Sequence, residues 1–167
     1  MKPEEMVTAS LEVAAEGLAA GELPIGAVVV MGDEVVGRAF TRERGLGRRL
    51  VHADLLAMIQ ADERLQWSRR SRPLVLAVTL EPCLMCLGAA MTLGVQAVLF
   101  GLESPGDGAA AVAATWTTHP DTPWYVAPAV RGGLMREQSR ELFRRYASAV
   151  ASDSAESRWA QALADLP

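Results

Sequence analysis

The chain reads as a single α/β domain over residues 1–167, and three features carry that reading. Segments whose apolar residues recur at helical spacing alternate with short β-rich runs. One run, Leu74-Val75-Leu76-Ala77-Val78-Thr79-Leu80, is almost continuously apolar, the pattern of a central strand covered on both faces. The length of 167 residues allows one well-formed core but is short for two, and no repeat or linker divides it.

Each element follows in order. Glu4 to Ala20 is predicted as an amphipathic helix, with Val7, Leu11, Ala14 and Leu18 on one face and Gly21 as its stop. Ala27 to Met31 is β-rich, and Gly32-Asp33 turns the chain into Glu34 to Phe40, giving a hairpin. Thr41 to Arg49 is basic and carries glycine, so a loop is expected. His52 to Leu65 is predicted as the second helix, with Leu55, Leu56, Ile59 and Leu65 as its apolar contacts. After Pro73 comes the central strand, then a helix over Cys83 to Leu93 that stops near Gly94, then a buried strand over Val95 to Gly101. Gly101 to Pro123 is rich in Gly, Ala, Thr and Pro and is expected to be a long loop with a helical turn near Ala109 to Ala114. Trp124 to Val130 is predicted as a short edge strand, because Pro128 has no N–H for a sheet centre. Leu134 to Val150 and Ala155 to Leu163 are predicted as closing helices.

Composition narrows the function classes. Half the residues are hydrophobic and 22% are charged, which suits a folded chain. No apolar run approaches about 20 residues, so no membrane span is expected. The start, Met-Lys-Pro-Glu-Glu, lacks a signal-peptide core, and a cytoplasmic location is expected. The formal net charge of −4 gives no general attraction to phosphate backbones.

The chemistry concentrates at Thr79-Leu80-Glu81-Pro82-Cys83-Leu84-Met85-Cys86, which holds both cysteines of the chain, and at Val51-His52-Ala53-Asp54, which holds one of its two histidines. Cysteines three apart at a helix start put two sulfurs on one face, where the helix dipole favours thiolate. Two thiolates and an imidazole can hold zinc in three tetrahedral positions and leave the fourth for water. Asp54 then stands where a carboxylate could move that water's proton. A thioredoxin-like redox pair is the competing reading of Cys-x-x-Cys. It accounts neither for Leu80-Glu81-Pro82 nor for His52-Ala53-Asp54.

The H-x-E and P-C-x-x-C signature of zinc nucleobase deaminases is matched here by His52-Ala53-Asp54 and Pro82-Cys83-Leu84-Met85-Cys86. With Leu23 to Val30, Val78 to Met91 and Val98 to Gly101, these segments resemble the cytidine deaminase-like zinc deaminases, in the branch of tRNA adenosine deaminase, guanine deaminase and fungal cytosine deaminase. The likeness runs over roughly residues 3 to 102 and returns between Gly132 and Arg145. It implies a three-layer α/β/α fold with a five-stranded mixed sheet. It also implies one zinc per chain on His52, Cys83 and Cys86, and commonly a homodimer.

Two departures stand out. Relatives carry glutamate as proton shuttle where this chain has Asp54, an arm shorter by roughly 1.5 Å. Many also carry a base-contacting asparagine eleven residues before the histidine, where this chain has Thr41, and the chain contains no asparagine.

The expected activity is zinc-dependent hydrolytic deamination of a small nucleobase, nucleoside or related amino-heterocycle, with Asp54 as shuttle. Deamination of a tRNA adenosine is the alternative, with phosphate contacts from Arg42, Arg44, Arg48, Arg49, Arg69, Arg70 and Arg72. A catalytically weak or inactive paralogue that keeps its zinc is the third reading. Substrate contacts are expected from Thr41, Ala53, Val78, Glu81 and Pro82. Trp116, His119 and Trp124 are expected to join them from a loop covering the pocket.

Overall fold

The structure is a computed structural model describing residues 1–67, 70–150 and 153–167. Its frame is a five-stranded mixed sheet of order β2-β1-β3-β4-β5. The hairpin strands are β1 (Gly26–Met31) and β2 (Glu34–Phe40), turned at Gly32 in the left-handed region (φ 67°). Strand β1 also pairs antiparallel with β3 (Leu74–Leu80). Strand β3 then runs parallel to β4 (Val95–Leu102), and β4 parallel to the three-residue β5 (Ala129–Arg131).

Helix α1 (Pro3–Ala19) packs on one face, with Met6, Val7 and Val13 against Val28, Val30, Ala77 and Leu99. Helix α6 (Arg136–Ala149) borders β4 and α1 there. The other face receives α3 (Ala53–Leu65) and α4 (Leu84–Leu93), whose Ala57, Met58, Ala61 and Ala90 meet Ala27, Val29, Leu76 and Val78. The alternation along β1 explains the split: Val28 and Val30 point one way, Ala27 and Val29 the other. The sheet is thus enclosed between two helical layers. Helix α3 rides so close to β2 that a Cβ on Gly37 would collide with the carbonyl oxygen of Ala57. That glycine fixes the depth of the helix beginning at the His52-Ala53-Asp54 motif.

Three short elements remain. The basic stretch expected as loop contains α2 (Glu43–Leu46), one helical turn. Its mount is Glu22, only 4% exposed, whose carboxylate accepts from Arg44 N at 3.0 Å and Gly45 N at 2.7 Å. Helix α5 (Ala110–Thr115) follows β4, and α7 (Ala155–Ala164), N-capped by the Ser154 side chain, packs on α6. The edge strand expected from Trp124 begins only at Ala129. Tyr125 instead donates its hydroxyl to Gly88 O at 3.4 Å, so the preceding residues lie against α4 rather than along the sheet. Among the described residues no helix is long and apolar enough to cross a membrane.

Candidate functional site

Both motifs end at helix N-caps. His52 caps α3 and Cys83 caps α4, each in extended backbone (ψ 149° and 172°), and each carbonyl accepts the first helical bond, from Leu56 N and Leu87 N. Extended geometry at the cap leaves each side chain free to point along the helix mouth. Cys86, one turn into α4, is fully buried beside them.

The donor atoms of His52, Cys83 and Cys86 all lie within 4.8 Å of one another. His52 Nδ1 is 3.7 Å from Cys83 Sγ and 3.8 Å from Cys86 Sγ. Tetrahedral zinc bonds of about 2.3 Å to sulfur and about 2.05 Å to nitrogen would separate S and N by about 3.6 Å. The three residues therefore fit a zinc ion in donor chemistry and in spacing. Asp54 is 4% exposed, and its Oδ1 accepts from Cys86 Sγ at 2.9 Å and from Leu55 N at 3.1 Å.

The metal-free charges are strongly biased. A hydrogen bond from Cys86 draws the Cys83 thiol down to about 4, with His52 also favouring the thiolate. The same shared hydrogen bond, with burial, holds the Cys86 thiol protonated well above its ordinary value. His52 is pushed up to about 9 by its bond to Cys83, against burial, with Glu43 adding to the rise. Burial raises the Asp54 carboxyl above the usual carboxylate range. Zinc binds thiolate and neutral imidazole, so metal uptake by this set releases protons.

The donors open into a cavity of about 340 Å³, in the range of small-molecule sites. Of the residues expected to touch substrate, Thr41, Ala53, Val78 and Glu81 line it, with Asp54, His52 and Cys83. Pro82 is buried but is not in the lining. Trp116, His119 and Trp124, expected to cover the cavity, are not in the lining either. Trp116 meets Tyr125 edge to face at 5.7 Å, and Tyr125 packs with Leu87 and Met91 on α4. That anchorage carries the loop along the outside of α4, leaving Trp124 72% exposed and the His119 ring in solvent. One physical cause places these residues outside: an aromatic pair settles on the helix instead of over its mouth.

Several lining residues carry no local sequence signal. Glu43 comes from α2, and Asp107 from the segment after β4. Ala155, Glu156 and Trp159 come from α7, whose indole meets Phe143 edge to face at 6.0 Å and packs near Leu23 and Leu80. That part of the wall is thus supplied from far along the chain, well beyond both motifs. Only the amphipathic spacing of the last helix hinted that its apolar face must cover something.

Glu81 serves the frame of the cavity. Its oxygens accept from Ser104 N at 3.0 Å and Ala110 N at 2.9 Å, while Ala109 N donates to Pro82 O and Gly108 bridges Cys83. A Cβ on Gly108 would collide with that carboxylate. Of the arginines, Arg42, Arg48 and Arg49 are exposed in the connection before His52, and Arg44 donates to Tyr146 Oη at 2.8 Å. Arg70 bonds Leu93 O at the far end of α4, roughly 15 Å along the helix from Cys83. Arg72 lies beside the Gly32 turn, and Arg69 is outside the described residues.

With this geometry in hand, known proteins give a consistent comparison. The family model for the cytidine and deoxycytidylate deaminase zinc-binding region matches residues 1–102. The tRNA-specific adenosine deaminase of Agrobacterium fabrum is 33% identical over 125 residues, covering 75% of this chain and 80% of that one. The tRNA(Ile)-lysidine synthase of Deinococcus radiodurans is 36% identical over 137 residues; the match takes in 81% of this chain and only 23% of that protein. A solved tRNA:A34 deaminase superposes with a TM-score of 0.70 at 31% identity, over 83% of this chain and 98% of that one. Motifs, cavity and family match agree, and the chain belongs to the cytidine and deoxycytidylate deaminase zinc-binding family.

Proposed function

We propose that this chain is a hydrolytic deaminase that exchanges the C6 amine of an adenosine in tRNA for oxygen, with release of ammonia. The observation that carries the deaminase reading is the His52, Cys83 and Cys86 trio with buried Asp54 beside it at one cavity. The tRNA part rests on the adenosine deaminase relatives. It replaces the small free substrate as the leading expectation.

Zinc on His52, Cys83 and Cys86 would supply Lewis acidity toward a water. The chain's own residues would do the rest. Ile25, Val78, Leu80 and Trp159 offer apolar walls for the flat faces of a purine. Asp54 is the proton carrier in this reading: burial raises its carboxyl above the usual carboxylate range, which favours taking a proton from the water and handing it to the ring nitrogen and then to the departing amine. Thr41, where many relatives have asparagine, turns its hydroxyl to Glu43. Outside the mouth, Arg42, Arg48 and Arg49 are available to RNA phosphates.

A free base or nucleoside is the second reading, and one observation favours it. Among the described residues the lining carries Glu43, Asp54, Glu81, Asp107 and Glu156 and no lysine or arginine, an acidic interior that disfavours a phosphate. The test is ammonia release from a tRNA anticodon stem-loop, set against a panel of adenosine, adenine, guanine and cytosine. Turnover of the stem-loop alone, with binding that weakens steeply as salt rises, supports the tRNA reading. Turnover confined to the panel selects the second, and no turnover of either overturns the deaminase reading. A single domain, a cytoplasmic location and a homodimer belong to the same proposal, the last checked by light scattering.

A further inference from the structure

His52 has two ring nitrogens, and they face different partners. Nδ1 looks toward the two sulfurs, while Nε2 lies 3.7 Å from Glu43 Oε1. That separation exceeds a direct hydrogen bond, and a side-chain rotation of a few tenths of an ångström or more would close it. The other oxygen of Glu43 accepts from Thr41 Oγ1 at 3.0 Å. Thr41 is fully buried, and its hydroxyl also lies 3.3 Å from Val51 O, next to the histidine. The mount beneath Glu43 is firm as well, since the buried Glu22 carboxylate holds the next two amides of α2.

We propose that Glu43 is the positioning carboxylate of His52. It receives the Nε2 hydrogen and fixes the ring with Nδ1 aimed at the metal position, while Thr41 holds the carboxylate in place. Histidines that bind a metal through one nitrogen generally give the other N–H to such a partner, and losing it costs about 10–100-fold in metal affinity. Thr41 then has a task other than reading a base: its hydroxyl is spent on Glu43 and Val51.

The inference rests on the metal assignment to His52, Cys83 and Cys86, so the experiment separates the two. Zinc affinity is measured by chelator competition for the native chain, Glu43→Gln, Glu43→Ala and Thr41→Val, and the melting of each metal-free protein is followed in parallel. Expected is a native chain that binds zinc, a loss of about 10–100-fold in Glu43→Ala, and smaller losses in Glu43→Gln and Thr41→Val. The metal-free Glu43→Gln should melt within about 2 °C of native, because its shape is kept. In zinc-loaded protein, nitrogen NMR should report a slowly exchanging His52 Nε2–H in the native chain and a fast one in Glu43→Ala. Unchanged affinity and exchange in both Glu43 variants would overturn the role of Glu43 and leave the metal assignment standing. A native chain that takes up no zinc would overturn both.

Discussion

Two long connections leave the sheet, and they meet opposite fates. Residues 41–52, between β2 and α3, are tied down from several sides: Glu22 grips the α2 amides, Arg44 reaches Tyr146, and Thr41 bonds Glu43. They end inside the cavity at His52. Residues 103–128, between β4 and β5, are tied equally well at their start, where Glu81 holds Ser104 and Ala110. Beyond α5 the ties change sides, and Trp116 and Tyr125 settle on the outer surface of α4. Aromatic content did not decide which connection serves the cavity. The position of carboxylates able to seize backbone amides did.

The sharpest break would come at the end of the first connection. Asp54→Asn should lower turnover by about 10²–10⁴-fold while zinc content holds. The same change should raise the melting temperature of the metal-free protein. Burial lifts the Asp54 pKa, so its contribution to stability is present below the unfolded value and lost as pH rises through the folded one. Removing the acid removes that loss, worth about 2–4 °C for each 1 kcal/mol recovered. A variant that turns over at the native rate would exclude Asp54 as proton carrier.

Next in size is the mount itself. Glu22→Ala leaves the Arg44 and Gly45 amides without their acceptor, at a cost of about 1–3 kcal/mol. Urea melts and faster amide exchange confined to residues 43–47 would register it. Native stability would mean that α2 holds without its carboxylate.

Paired substitutions then set the connections against α7. Trp159→Phe should keep the packing on Phe143 and raise KM modestly, while Trp159→Ala should raise it by about tenfold or more, the scale of one lost base stack. Trp116→Ala, His119→Ala and Trp124→Ala should leave KM within about twofold, since none lines the cavity. The reverse pattern would return the cover of the site to the second connection.

The smallest effect concerns where that second connection begins. Arg136 pairs with Glu103 and holds its carboxyl below the usual range. A depressed carboxyl stabilises above its unfolded value near 4.5, and that contribution fades as pH falls through the folded value. The pair is partly exposed, so Arg136→Gln should flatten the acid limb of stability by no more than a few tenths of a kcal/mol. A larger change in thermal melts below about pH 4.5 would show that the pair anchors more than itself.

Much of this was legible in the chain. Strand β3 occupies the residues its apolar run predicts, and the motif spacing brings His52, Cys83 and Cys86 together because each falls at or one turn past a helix start. Local signals failed where the determinant lay far away. Helix α2 has weak intrinsic preference and exists because Glu22, some twenty residues earlier, binds its amides. Trp124 to Pro128 has strand-like residues, yet Tyr125 finds a better partner on α4 than the sheet edge offers. Trp159 reached the cavity wall through tertiary docking of α7, which periodicity alone does not aim.

The contact between Glu81 and Gly108 sets a rule for how this site can evolve. Any side chain at 108 intrudes on the carboxylate that pins Ser104 and Ala110, while a shorter residue at 81 frees the space but releases those amides. The two positions are therefore epistatic, and the order of change matters. A lineage acquiring a side chain at 108 must first give up the long acid at 81, passing through an intermediate whose strand-to-helix turn, and with it Cys83, is held less tightly.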